Sequence, residues 1–343
     1  MPEESIDHID FDDLNRRAIS QPIVSHIYTA DPSAHVFNGR IYIYPSHDVE
    51  STIPFDDLGS HFAMEDYHVI SMDSPSSNAV DNGVALHVKE VPWADKQMWA
   101  PDAAEKDGTY YLFFPAKAHD GIFRIGVATS PSPTGPFIPQ PEPIKESFSI
   151  DPAVFQDDDG HYYMYFGGIW GGQLQRWRTG EYKDGEGPLM YLPENDEPAL
   201  CGKIARLTDD LLEFAEAPKD VVITDESGNP LLAGDNDRRF FEASWMHKHN
   251  GKYYFSYSTG DTHFLCYGIG DTPYGPFKYG GRILNPVVGW TSHHSICQFW
   301  GKWYLFYHDS SLSKGVTHLR SVKVTELVHD EHGHIQTIDP YLK

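Results

Sequence analysis

Three carboxylates open three closely similar stretches of this chain. They are Asp31 in "DPSAHVFNGRIYIYPSHD", Asp151 in "DPAVFQDDDGHYYMYF" and Glu242 in "EASWMHKHNGKYYFSYSTG". Each stands at the start of a strand-like run that leads through a polar turn into an aromatic strand. A single acid before proline is ordinarily a turn or cap residue. Three acids at one repeat position carry more weight, because a repeated unit puts equivalent residues at equivalent points in space. Carboxylates crowded into a concave, aromatic-walled site repel one another, and one is pushed to stay protonated at neutral pH. A proton donor beside an ionised base is what hydrolysis of a glycosidic bond requires.

The elements that position these acids are legible as hairpins. Two further stretches share the pattern: "APDAAEKDGTYYLFFPAK" behind Trp99 and Ala100, and "HHSICQFWGKWYLFYHD" from His293. The turns fall at Asn38-Gly39, Asp107-Gly108, Asp159-Gly160, Asn250-Gly251 and Trp300-Gly301. All but the last are Asn-Gly or Asp-Gly, the strongest short-range hairpin signal. From Ala100 to Asp151, and again from Glu242 to His293, the interval is 51 residues, room for the four strands of a propeller blade. "SPSPTGPFIP" and "DTPYGPFKYG" repeat a second marker at a similar offset. The reading is an all-β, five-bladed β-propeller formed by residues 1–343 as one catalytic domain, with a short N-terminal extension over about 1–22. No helical period persists, except weakly at "LTDDLLEF", and a polar insertion spans 180–238. The innermost strands of a propeller run the same way, so Asp31, Trp99–Ala100, Asp151, Glu242 and His293 meet at one mouth of the central channel. Acid and base on different blades favour the inverting geometry, with the two about 6.5–9.5 Å apart.

Composition agrees with this class. Of 343 residues, 40% are hydrophobic and 14% aromatic, and Gly and Pro number 29 and 25, a mixture suited to many short strands and turns. A net charge of −24 argues against nucleic acid or an anionic membrane as partner and fits a neutral substrate such as a sugar. No run approaches the ~18 apolar residues of a membrane span. The opening "MPEESIDHIDFDDLNRR" has no apolar core of a signal peptide, so the expected location is the cytoplasm. Cys201, Cys266 and Cys297 lack metal or redox spacing and suit a reducing compartment.

The chain resembles glycoside hydrolase family 43, the five-bladed propellers that cleave β-xylosides, α-L-arabinofuranosides and arabinan. The likeness runs from "YTADPSAHVF" to "DEHGHIQTI" and rests on Asp-Pro in the first blade, "WAPD", "DPAVFQDDDG" and "EASWMHKHNGKYYF" in that order. It implies that Asp31 is the general base, Glu242 the general acid, and Asp151 the residue that orients the site and raises the acid's pKa. It further implies that Arg320, in "HLRSVKVTELVHDEHG", contacts the bound sugar. Trp99 and Trp170 would wall the pocket, although "FGGIWGGQ" departs from the family's dedicated xylosidases. "HHS" matches a position where family members hold Ca²⁺ in the channel through one histidine and several waters, here His293 or His294; His293 also faces the substrate. No organic cofactor is implied.

The expected activity is exo-acting release of terminal β-D-xylose or α-L-arabinofuranose from small oligosaccharides, the 180–238 insertion closing a groove into a pocket. The alternatives are an endo-arabinanase and a non-catalytic glycan-binding propeller, which would be expected to lack one of the three acids. "DDDG" at 157–160 reads as a turn rather than a calcium loop, and "GDNDRR" and "HDEHGH" as solvated loops. Ser295 has no nucleophile-elbow motif around it.

Overall fold

The computed structural model describes residues 8–185, 187 and 189–343. Its strands form five sheets in chain order. The first comprises Tyr28–Phe37, Arg40–Asp48, Asp66–Met72 and Val80–His87. The strands Tyr28–Phe37, Asp102–Lys106, Ala153–Gln156, Glu242–His249 and His294–Phe299 each touch the corresponding strand of the next sheet, and the last touches the first. That ring of innermost strands is a five-bladed propeller. Between blades lie the aromatic side chains of the second strands, among them the fully buried Tyr44, Phe113, Tyr165, Tyr257 and Tyr307. Alternation puts these rings on the faces where blades meet.

Four hairpins turn as their sequence predicts. Both residues of Asn38-Gly39, Asp107-Gly108, Asn250-Gly251 and Trp300-Gly301 have φ between 47° and 80°, the backbone of a type I′ turn. The hairpin at Asp159-Gly160 is different. Its ladder ends at Gln156 and Tyr162, and only Gly160 has positive φ. The longer loop frees Asp157 to take Lys248 Nζ at 2.9 Å and the Tyr253 hydroxyl at 2.6 Å, so the acidic run fastens the third blade to the fourth.

The ring closes through the end of the N-terminal extension, at Ser20, and the residues that follow it into the first strand. Ile23 N–H donates to Val322 O, Thr29 N–H to Arg320 O, and Val324 N–H to the Ser20 hydroxyl. The chain before the first blade thus lies along Ser321–Leu327, the outer strand of a three-stranded last sheet. Residues 1–7 of that extension lie outside the described residues. A short helix, Phe11–Arg17, precedes the seam, capped by Asp10 and tied by an Asp13–Arg17 pair. Seven residues are too few to display a period, so only the cap and the charge pair signal it. "LTDDLLEF" is no helix: Leu207 and Phe214 bridge across a turn. Cys201, Cys266 and Cys297 are free thiols. Among the described residues, no helix is long and apolar enough to cross a membrane.

Candidate active site

Asp31, Trp99, Ala100, Asp151, Glu242 and His293 line one cavity open to solvent. The backbone aims the acids into it. Register slips between Ala30 and Ser33 in the first blade and between Glu242 and Trp245 in the fourth. Asp31 (φ 46°), Asp151 (φ 58°) and Ala243 (φ 65°) occupy the left-handed region. A bulge re-aims the side chains beside it, and Asp tolerates that region better than most residues.

Asp31 is 6% exposed and has a partner on each oxygen. Oδ1 accepts from Arg320 at 2.9 Å and Oδ2 from the Ser46 hydroxyl at 2.6 Å. Its own N–H donates to His308 Nδ1 at 3.0 Å, so the neutral His308 ring carries its proton on Nε2, facing the Thr291 carbonyl at 3.1 Å. Burial pushes the Asp31 carboxyl up, but Arg320, the nearby histidines and Ser46 outweigh it and hold it at about 2. Arg320 also grips Asp48 with Nε and a terminal nitrogen, each at 2.8 Å. Asp48 and Ser46 carry no repeat signature, and only their place on the strand beside Asp31 could have flagged them.

Glu242 differs in kind. Burial, then the negative charge of Asp31, raises it to about 8 against a weaker pull from Arg320. Asp151 is 4% exposed, accepts from the Ala243 N–H at 2.9 Å, and is likewise pushed upward by burial and by Glu242. The two acids therefore titrate as a pair. After burial, the negative charge of Asp31 adds to the upward shift of Glu242, and Asp151, to which the family resemblance assigns that effect, is coupled to the same group. A carboxylate held low, Asp31, stands beside a coupled pair pushed up, Glu242 and Asp151, which is the acid–base contrast glycoside hydrolysis needs.

Trp99 and Trp170 line the pocket, and further wall comes from a segment the sequence reading passed over. Phe55, Asp56, Asp57, Gly59, His61, Phe62 and Met64 belong to the connection between the second and third strands of the first blade. Trp99 donates from its indole to Phe62 O at 2.9 Å. Trp170 packs at 5.3 Å from Phe241 and 5.7 Å from Trp290. The glycines beside Trp170 answer a packing need: a Cβ at Gly171 would lie 2.5 Å from Leu58 O, so only glycine lets the two wall segments meet. No described residue of the 180–238 insertion lines the cavity, which corrects the expectation that this insertion closes it.

The profile of glycosyl hydrolases family 43 matches residues 20–335. The chain belongs to that family. It is 61% identical to a xylosidase/arabinosidase 43A of Humicola insolens over 93% of this chain and 99% of that one. It is 56% identical to a β-xylosidase of Xylanibacter ruminicola over 91% and 97%. Among solved structures, it superposes with TM-score 0.92 on a family 43 β-xylosidase/α-arabinofuranosidase from a compost microbial metagenome, in complex with xylotriose and in a calcium-free form. That protein is 64% identical, over 94% of this chain and 98% of that one. A family 43 enzyme from Xanthomonas citri complexed with xylotriose gives TM-score 0.91 at 56% identity, over 96% and 97%. The chain is a glycosidase.

Two adjacent histidines of this glycosidase are among those with a buried ring nitrogen lacking a hydrogen-bond partner, at His293 Nε2 and His294 Nδ1. Burial holds both rings neutral. His293 Nδ1 accepts the His294 N–H at 2.8 Å, so its proton sits on Nε2, 3.7 Å from Asp151. A protonated nitrogen cannot ligate a cation. His294 Nε2 meets the Ser256 hydroxyl at 2.6 Å, and if it donates there, Nδ1 keeps a free lone pair. The donor set fits one nitrogen ligand, with water supplying the oxygens that calcium prefers.

Glu242 links the site's electrostatics to stability. Its proton is held to about pH 8 in the folded chain, against 4.5 ordinarily. The stability this adds is complete below pH 4.5 and is lost as pH rises towards 8. Glu242→Gln is neutral throughout. Its melting temperature should therefore gain on the wild type steadily between those pH values by scanning calorimetry; a pH-independent difference would contradict the assignment.

Proposed function

We propose that this glycosidase is exo-acting and releases terminal β-D-xylose and α-L-arabinofuranose from xylo- and arabino-oligosaccharides by single-step inverting hydrolysis. The observation that carries the reading is the contrast between an ionised Asp31 and a protonated Glu242 in one aromatic-walled pocket. Asp31 takes a proton from water as the water oxygen bonds to the anomeric carbon. Glu242 gives its proton to the glycosidic oxygen as that bond breaks. No covalent sugar–enzyme bond forms. Asp151 and His293 border the same space, and Arg320 holds Asp31 in its charged form. Trp99, Phe62, Trp170 and Trp290 offer flat apolar surfaces to a sugar ring. The two sugars present similar hydroxyl patterns to one pocket, which suits activity on both.

An endo-arabinanase needs an open groove for a continuing chain. Here Leu58 and Gly171 meet across the wall, which favours a pocket that takes chain ends. A glycan-binding propeller without catalysis has no use for the pKa contrast.

Proton NMR of the first sugar released from an aryl β-xyloside should detect α-xylose; β-xylose appearing first would mean retention and remove Asp31 as base. Glu242→Ala should nearly abolish turnover of xylobiose, whose leaving alcohol needs a proton, and slow aryl xylosides with acidic phenol leaving groups far less. Asp31→Ala should damage both alike. Equal losses for both substrates in Glu242→Ala would exclude it as the acid.

For calcium, the reading is that His294 Nδ1, rather than His293, is the protein nitrogen that would hold it. The ion would supply fixed positive charge in the channel near the acids. Calcium added to chelator-treated protein should raise the melting temperature, by about 2.7 kcal/mol of stability at a hundredfold excess over Kd, and His294→Ala should cancel the rise. No rise at millimolar calcium would remove the ion.

A further inference from the structure

A second histidine cluster lies outside the pocket. His47 is near the end of Arg40–Asp48, and Asp66 and His68 are on the neighbouring strand Asp66–Met72, two residues apart and so on one face. One ligand atom from each of the three lies within 4.8 Å of the others. His47 Nδ1 is 2.5 Å from Asp66 Oδ1, and the His47 and His68 rings are centred 4.5 Å apart. His68 is already oriented: its Nδ1 meets Asp81 Oδ1 at 2.8 Å, and Asp81 is fixed in turn by the Gly83 N–H at 2.8 Å. A carboxylate on one imidazole nitrogen leaves the other with its lone pair outward, the arrangement that supports metal-bound histidines. The side chains of His47 and Asp66 are 17% exposed and that of His68 13%, so an ion and a water can reach them.

We infer that His47, Asp66 and His68 bind one divalent transition cation of the zinc class, with water in the fourth position. Two nitrogens and one carboxylate suit zinc rather than calcium. Zinc ligands at ~2.0–2.2 Å from the ion lie about 3.3 Å from one another in a tetrahedron, so small side-chain rotations close the set. The ion replaces the proton between His47 and Asp66. Its place in the fold assigns it a structural role. The connection that begins after Asp48 and ends at Asp66 supplies Phe55, Asp56, His61 and Phe62 to the pocket wall, and a metal here joins its two ends. The site is independent of the channel histidines and of the reading of the active centre.

Zinc chloride titrated into the chelator-treated full chain by calorimetry should bind at about one ion per chain. His294→Ala should leave this binding intact, and His47→Gln with His68→Gln should abolish it. Asp81→Ala should weaken it roughly 10–100-fold. Bound zinc should also slow proteolytic cleavage within residues 49–65. If the double variant does not fold, either single variant, with two ligands left, must still lose most of the affinity. Absence of zinc binding in the wild type, its persistence in the folded double variant, or its loss in His294→Ala alone would each overturn the proposal.

Discussion

One guanidinium holds the active centre and the ring together. Arg320, from the last blade, is 3% exposed and lies between Asp48 and Asp31 of the first. Burying a lone charge costs several kcal/mol, and deleting one member of a buried ion set costs about 3–5 kcal/mol because the rest are left uncompensated. Here the cation and the acids compensate one another across the closing seam. The same contact decides the chemistry. Burial alone would drive the Asp31 carboxyl upward; Arg320, with the nearby histidines and Ser46, reverses that sign. The charge so secured in turn adds to the burial that pushes Glu242 up. Stability of the ring and polarity of the acid–base pair therefore depend on one residue.

Strained backbone does the aiming. Regular strands turn alternate residues to alternate faces. The left-handed residues Asp31, Asp151 and Ala243 break that alternation at the mouth, at a cost of order 1–3 kcal/mol each. Their surroundings over-determine them: Asp31 N–H is held by His308 and Ala243 N–H by Asp151. Each bulge is locked by a hydrogen bond to another part of the site, so positions are shared rather than set one by one.

Much of this was legible before any coordinates. Asn-Gly and Asp-Gly turns mark four of the five hairpins and aromatic alternation marks all five, and equivalence within the repeat placed Asp31, Asp151, Glu242, Trp99 and His293 in one cavity, as found. What failed had no period to follow. The wall segment around Phe62 is irregular chain, and its approach to Gly171 is a long-range contact that no local pattern encodes. The long insertion was a natural candidate for the wall because of its length, yet length says nothing about direction. Asp159-Gly160 carried the right dipeptide, but Lys248 and Tyr253 draw Asp157 into a cross-blade contact that a two-residue turn would not permit. The division of pKa shifts among three acids depends on Arg320 reaching across the seam, a geometry invisible in spacing.

The seam has a kinetic meaning as well. Asp31 and Arg320 are separated by 289 residues along the chain, and Val322 N–H reaches Thr29 across 293. Contacts so distant in sequence form late, since the entropy of closing the intervening loop must be met before they contribute. Four blades folded without the fifth would leave the Asp31 carboxyl without its cation. Arg320 and His308 reach Asp31 only when the circle is complete, so turnover during refolding reads out the joining of its ends.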